Sequence, residues 1–197
     1  MIPYSEMKKI NSLIAKSQEI LSFWSPSPST DILHQNLTML SGYIGLSGND
    51  NTYFPIHFTI QELAPPEMIS DPKIGAAILW SRFRSEMLWT IDAIRMMYNE
   101  SMFVNDWYKG GSLKYRGVRP LTYQSTDTDM HKMYGACDWH FAHTSHKQFV
   151  NDVLNNPNEP AFMFIRGLED FDGMTWNHID TRNVKKVNGK PMVFGNK

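Results

Sequence analysis

The sequence predicts an α+β fold, on three observations. Apolar residues recur at helical spacing through the first half of the chain, short apolar or alternating runs follow in the second half, and helices and strands do not alternate as a parallel α/β sheet requires. The chain has 197 residues, enough for one domain with a real core and an elaboration. Hydrophobic content of 42% with 20% charged residues describes an ordinary globular protein rather than a disordered one.

Residues 5–24 carry Met7, Ile10, Leu13, Ile14, Ile20 and Leu21 at helical spacing, which predicts a first helix. Ser25-Pro-Ser-Pro-Ser-Thr30 breaks it, and residues 31–46 suit a second short helix before the loop Gly48-Asn-Asp-Asn51. Residues 1–53 thus read as a helical N-terminal arm without a chemical motif, packing on the domain or on a partner. The domain proper is expected over 54–197. Asp71-Pro72 is a good N-cap and first-turn pair for one long helix over about 72–98. Its stripe is Ile74, Ile78, Phe83, Met87, Leu88, Ile91 and Ile94.

Phe103–Trp107 is a short strand candidate and Lys109-Gly-Gly111 a turn, followed by an irregular stretch, Tyr115–Gln124. A helix over 145–155 is stopped by Pro157. Ala161–Ile165 reads as a buried strand and Thr175–Ile179 as an alternating one, while Asn188-Gly189 signals a hairpin turn near the C-terminus.

The net charge of −1 offers no footprint for nucleic acid or an anionic membrane. No stretch approaches the roughly 18 apolar residues of a membrane span. The N-terminus lacks a basic-then-apolar signal pattern, so a cytoplasmic chain is expected, acting outside only after release or as part of a larger particle. The single cysteine, Cys137, excludes an internal disulfide and a cysteine-based metal cluster. Beside Asp138, it reads as a small buried apolar residue facing the opposite way.

The chemistry concentrates in His131-Lys-Met-Tyr-Gly135-Ala136-Cys-Asp138, answered downstream by Trp176-Asn-His178-Ile-Asp180. Two imidazoles and a carboxylate suit a borderline-soft divalent metal such as Zn2+, and three protein ligands leave a position open for a water. His131 and Asp138 lie close enough in sequence for a loop and a strand to aim both inward, with Gly135 and Ala136 giving the intervening backbone room. Asp180 shares the side of His178 on a strand and is placed to orient a ligand. His140-x-x-His143-x-x-His146 is a rival cluster, since three-residue spacing on a helix puts two imidazoles on one face. It has no distant third ligand and reads as structural or surface. His34 and His57 read as packed or surface residues, and Trp107, Trp139 and Trp176 as core or pocket wall.

These residues, with His57-Phe-Thr-Ile-Gln-Glu-Leu, Asn105-Asp-Trp-Tyr-Lys-Gly-Gly111 and Arg116-Gly-Val-Arg-Pro120 upstream, resemble the zinc D-Ala-D-Ala carboxypeptidase and L-Ala-D-Glu endopeptidase family in its phage-type form. The resemblance covers about residues 57–185. It implies a Hedgehog/DD-peptidase-like antiparallel sheet with flanking helices, and zinc held by His131, Asp138 and His178. It also implies cleavage of peptidoglycan stem peptides, with Glu169 as the first choice of general base and Asp172 as the second. Arg119, and after it Arg116, would answer a substrate carboxylate or the developing oxyanion.

Thr175 stands where many members carry an acid, and Trp176 where others carry a histidine. Those departures keep a second reading open: a phage virion or tail component, structural or wall-binding, with little or no turnover. It would contact other virion proteins through residues 1–53.

Overall fold

A computed structural model describes residues 53–195, which from Phe54 onward belong to one compact unit, Phe54–Lys197. The expected helices at 5–24 and 31–46 lie outside the described residues. The described part is mixed α and β. Four helices come first: α1 (Ile60–Leu63), α2 (Pro66–Ile69), α3 (Gly75–Arg82) and α4 (Ser85–Tyr98). Then follow β1 (Met102–Phe103), β2 (Ala136–Phe141), α5 (His146–Asn155), β3 (Gly167–Glu169), β4 (Asn177–Asp180) and β5 (Met192–Phe194). No described helix is long and apolar enough to cross a membrane.

The strands form one five-stranded sheet in the order β1-β2-β4-β3-β5. Pairings β1–β2, β2–β4 and β4–β3 are antiparallel, but β5 joins β3 in parallel, so the sheet is mixed rather than wholly antiparallel. One face is the core. Cys137, Trp139, Leu168 and Ile179 point into it, and Trp139 packs edge-on to Phe149 of α5 at 5.1 Å between ring centroids. Phe149 in turn meets Phe162, and Tyr98 of α4 lies against Phe141. Leu88, Ile91 and Ile94 complete the burial from α4.

The long helix expected over 72–98 is two helices. Residues 72–74 form a turn closed by Asp71, whose carboxylate accepts the Lys73 N–H, and α3 starts only at Gly75. Phe83 and Arg84 are then extended. The cause is tertiary. The Arg84 N–H donates to the Tyr134 carbonyl at 3.1 Å and its Nη1 to the Thr181 carbonyl at 2.9 Å. Helical continuation would forfeit both ties, which hold the entry to β2 and the exit from β4. Ile78, expected in the apolar stripe, is exposed, and Leu79 is buried instead.

Two strand expectations also shift. Ala161, Phe162 and Ile165 are buried, but the segment is not a strand: Pro160–Phe162 is a 3-10 turn, begun by the fixed φ of proline, and the strand forms at Gly167–Glu169. Of the strand expected over Phe103–Trp107 only Phe103 is strand, as the end of Met102–Phe103, and Trp107–Lys109 is a 3-10 turn ending in left-handed Gly110. The helix over 145–155 forms as His146–Asn155, with the Ser145 hydroxyl capping the Gln148 N–H at 3.2 Å. Asn188 and Gly189 both take positive φ between the bridged Val187 and Lys190, as a tight hairpin requires.

Candidate metal centre

The register of β2 and β4 sets the site. Asp138 lies directly opposite His178, and Ala136 opposite Asp180. The Asp138 N–H points away from β4 and donates to the Arg116 carbonyl at 2.7 Å. Asp138 and His178 are therefore a non-hydrogen-bonded pair, the geometry that brings opposed side chains closest. His131 arrives from the turn before β2. It, Asp138 and His178 are all buried, and each offers a ligand atom within 4.8 Å of the others. Among the described residues this is the one such group of three, and it can hold a metal ion.

The donor set fits a divalent metal in detail. His131 Nδ1 donates to the Gly117 carbonyl at 2.5 Å, which fixes the ring and leaves the Nε2 lone pair free, 3.4 Å from Asp138 Oδ1. His178 presents Nδ1, 2.6 Å from the same Oδ1. At this distance the two groups share a hydrogen bond. Burial disfavours a charged His178, but the Asp138 carboxylate outweighs it, and the imidazole pKa is pushed up to about 10. Burial likewise works against charged Asp138, and His131 and His178 overcome it, holding its carboxyl well below the usual range. A metal would replace that shared proton.

Behind the ligands, Asp180 shares the face of His178 as expected, with Oδ2 3.8 Å from His178 Nε2. Its carboxylate is fully buried. Burial pushes its pKa up, yet bonds from His178 and Arg182 bring it down to about 2. Arg182 grips both oxygens, and its guanidinium stacks over Phe194 of β5 at 4.3 Å. Gly167 is what admits that carboxylate, because a Cβ at this position would sit 2.3 Å from Asp180 Oδ2. Gly135 acts differently from expectation. Its open side is filled by the Arg84 and Met130 side chains rather than by backbone.

The three ligands sit in the wall of a cavity of about 890 Å³ whose lining also includes Arg116, Arg119, Glu169, Trp176 and Arg182. Glu169 has Oε1 4.0 Å from His178 Nε2 and keeps part of its carboxylate in solvent. Asp172 is exposed on the following turn and does not line the cavity. Thr175 is exposed, and Trp176 stands at the wall, 37% exposed.

The two arginines have unlike surroundings. Arg119 is engaged on every side: Nη1 with Asp129 at 3.1 Å, Nη2 with Asp138 Oδ2 at 3.2 Å, and Nε with the Tyr115 carbonyl. It fixes the Asp138 carboxylate and offsets the charge on its second oxygen. Arg116 has no carboxylate within ion-pair distance among the described residues; its guanidinium bonds only to His140 Nδ1.

The rival histidines part company. His140 lies on β2 beside Arg116, His143 is in the exposed turn after it, and His146 opens α5, where it meets Asn177 and Asp170. His57 bonds to buried Asp92 at 2.8 Å. Cys137 is fully buried on the core face, and Trp139 is core. Sequence reasoning missed Gly167, Arg182 and the Gly117 carbonyl. A glycine facing an aspartate across paired strands was the available signal for the first. Comparison with protein-family models, with curated proteins and with solved structures finds no match to this chain.

Proposed function

We propose that the chain is a zinc-dependent peptidase of the Hedgehog/DD-peptidase type that hydrolyses amide bonds of peptidoglycan stem peptides. The observation that carries this reading is a buried His131–Asp138–His178 set opening on a cavity that also holds the Glu169 carboxylate. Two imidazole nitrogens and one carboxylate oxygen suit zinc, and three ligands leave a position for water, as catalytic rather than structural sites do. When bound, zinc supplies an activated water and a polarised carbonyl.

The chain's own residues do the rest. Glu169 accepts a proton from the attacking water and passes it to the departing amine nitrogen. Asp138 and His178 keep their orientation through Arg119 and Asp180. Arg116, the uncommitted cation of the wall, answers a substrate carboxylate.

The test is to load the purified chain with zinc, incubate it with peptidoglycan, and follow released amines and soluble muropeptides. Release is expected, abolished by His131→Ala or His178→Ala together with zinc retention, and reduced at least about hundredfold by Glu169→Gln. Unchanged release in either histidine variant would sink the reading. Zinc bound without product favours a second one, a virion component that binds the wall without turnover. The specific observation on its side is the rim, where exposed Thr175 replaces an acid and half-exposed Trp176 offers an aromatic platform.

A further inference from the structure

The site face of β2 carries a second polar side chain two residues beyond Asp138, and that residue, His140, has no part in holding metal. Its one hydrogen bond runs to Arg116, which is fixed from three directions. The Arg116 N–H donates to Oδ1 of buried Asn105 at 3.0 Å, and its carbonyl accepts the Asp138 N–H at 2.7 Å. Its guanidinium Nη1 donates to His140 Nδ1. A guanidinium has donors only, so the imidazole must accept, which places the ring proton on Nε2.

The consequence is a half-buried cation held by a neutral partner. Asp138 and Asp106 act on Arg116 only from a distance, and Asp138 is already paired with Arg119, three residues on, which also holds Asp129. The guanidinium donors not used by His140 remain for the cavity that Arg116 lines. A held, half-buried guanidinium without an anion is a preorganised receptor, because little side-chain ordering is left to oppose binding.

We propose that His140 is a positioning residue that holds the Arg116 guanidinium in the cavity wall as the receptor for a carboxylate of the substrate peptide. The inference rests on the peptide reading above but is separable from it. A lysine at either position, or an acid at 140, would lose the effect: lysine cannot form the forked pair, and an acid would itself occupy the guanidinium.

The experiment uses the zinc-loaded full chain and a stem pentapeptide, with its carboxylates free or blocked as carboxamides. His140→Ala is expected to raise KM about tenfold while moving kcat less than about twofold, and Arg116→Ala to do the same. The double variant should be no worse than either single one. His140→Asn, whose Oδ1 can accept in place of Nδ1, should recover most of the loss. Blocking the carboxylates should cost the wild type the same factor and Arg116→Ala nothing.

If the chain binds the peptide without cutting it, the same factors are read from Kd, so failure of the hydrolase reading leaves this test intact. Nitrogen NMR of His140 should show an unprotonated Nδ1 in wild type, altered by Arg116→Ala. A protonated Nδ1 in wild type, additive single variants, or indifference to carboxylate blocking would each overturn the proposal.

Discussion

The two faces of β2, β3 and β4 are built from alternate residues of the same three strands, yet they obey different rules. Cys137, Trp139, Leu168 and Ile179 face the core and are held by shape and burial. Asp138, Glu169 and His178 line the cavity with Asp180 buried behind them, and hydrogen bonds hold Asp138, His178 and Asp180 while Glu169 stays partly in solvent. On the first face a lost side chain leaves a void; on the second it leaves a charge or a lone pair without its answer. Stability and metal affinity should therefore separate cleanly between neighbours in sequence.

The largest expected effect breaks the core side. Phe149→Ala empties the space against Trp139, Phe141 and Phe162, and should cost about 3–5 kcal/mol in denaturant unfolding, with metal stoichiometry of the folded protein unchanged. Loss of metal from the folded variant would refute the separation of the faces.

Next in size is the site side. His131→Ala should lower zinc affinity by more than about a hundredfold, because a ligand matters more than the groups behind it, and should remove any zinc-induced rise in Tm. In wild type, titration calorimetry in buffers of different ionisation enthalpy should report about one proton released per zinc near neutral pH, the proton shared by His178 and Asp138.

Gly167→Ala probes the border between the faces. The added methyl must displace the Asp180 carboxylate or β3 itself, so both readouts should move: a fall of about tenfold or more in zinc affinity, and a stability loss of about 1–3 kcal/mol. A change in stability alone would mean that Asp180 does not act on His178. Arg182→Ala should give a smaller, roughly tenfold fall in affinity with a modest change in Tm.

The smallest effect lies on the scaffold. Glu100 ties the turn between β2 and α5 by accepting bonds from the His143 and Thr144 N–H groups and the Thr144 hydroxyl. Burial works against its charge, but these donors prevail and its pKa is lowered. The sign follows: the stabilisation is present above the ordinary glutamate pKa and is lost as pH falls through the lower folded value. Glu100→Gln should flatten that acid limb in pH-dependent melting without altering zinc affinity at neutral pH.

What was readable in the sequence was whatever depends on spacing and local chemistry. His131 and Asp138 are seven residues apart and needed only a turn and a strand to converge, and α5 and the Asn188-Gly189 turn carry their own caps and breakers. What was not readable depends on partners distant in sequence. Nothing local at Phe83-Arg84 interrupts a helix; the break comes from carbonyls of residues 134 and 181. Arg116 and Arg119 look interchangeable in Arg-Gly-Val-Arg, and only the positions of Asp129, Asp138 and His140 distinguish them. Ala161–Ile165 has the composition of a buried strand, and proline geometry together with the competing Gly167–Glu169 pairing decided against it.

Cys137, the lone thiol, gives the strands of the candidate metal centre a built-in clock. It is fully buried between Ala136 and Asp138, paired across the sheet with Ile179, and burial raises its pKa well above the usual thiol value. A thiol reagent can reach it only when β2 and β4 part. The rate of its labelling under native conditions therefore times the opening of the strands that carry Asp138 and His178, and bound metal should slow that rate in proportion to its affinity.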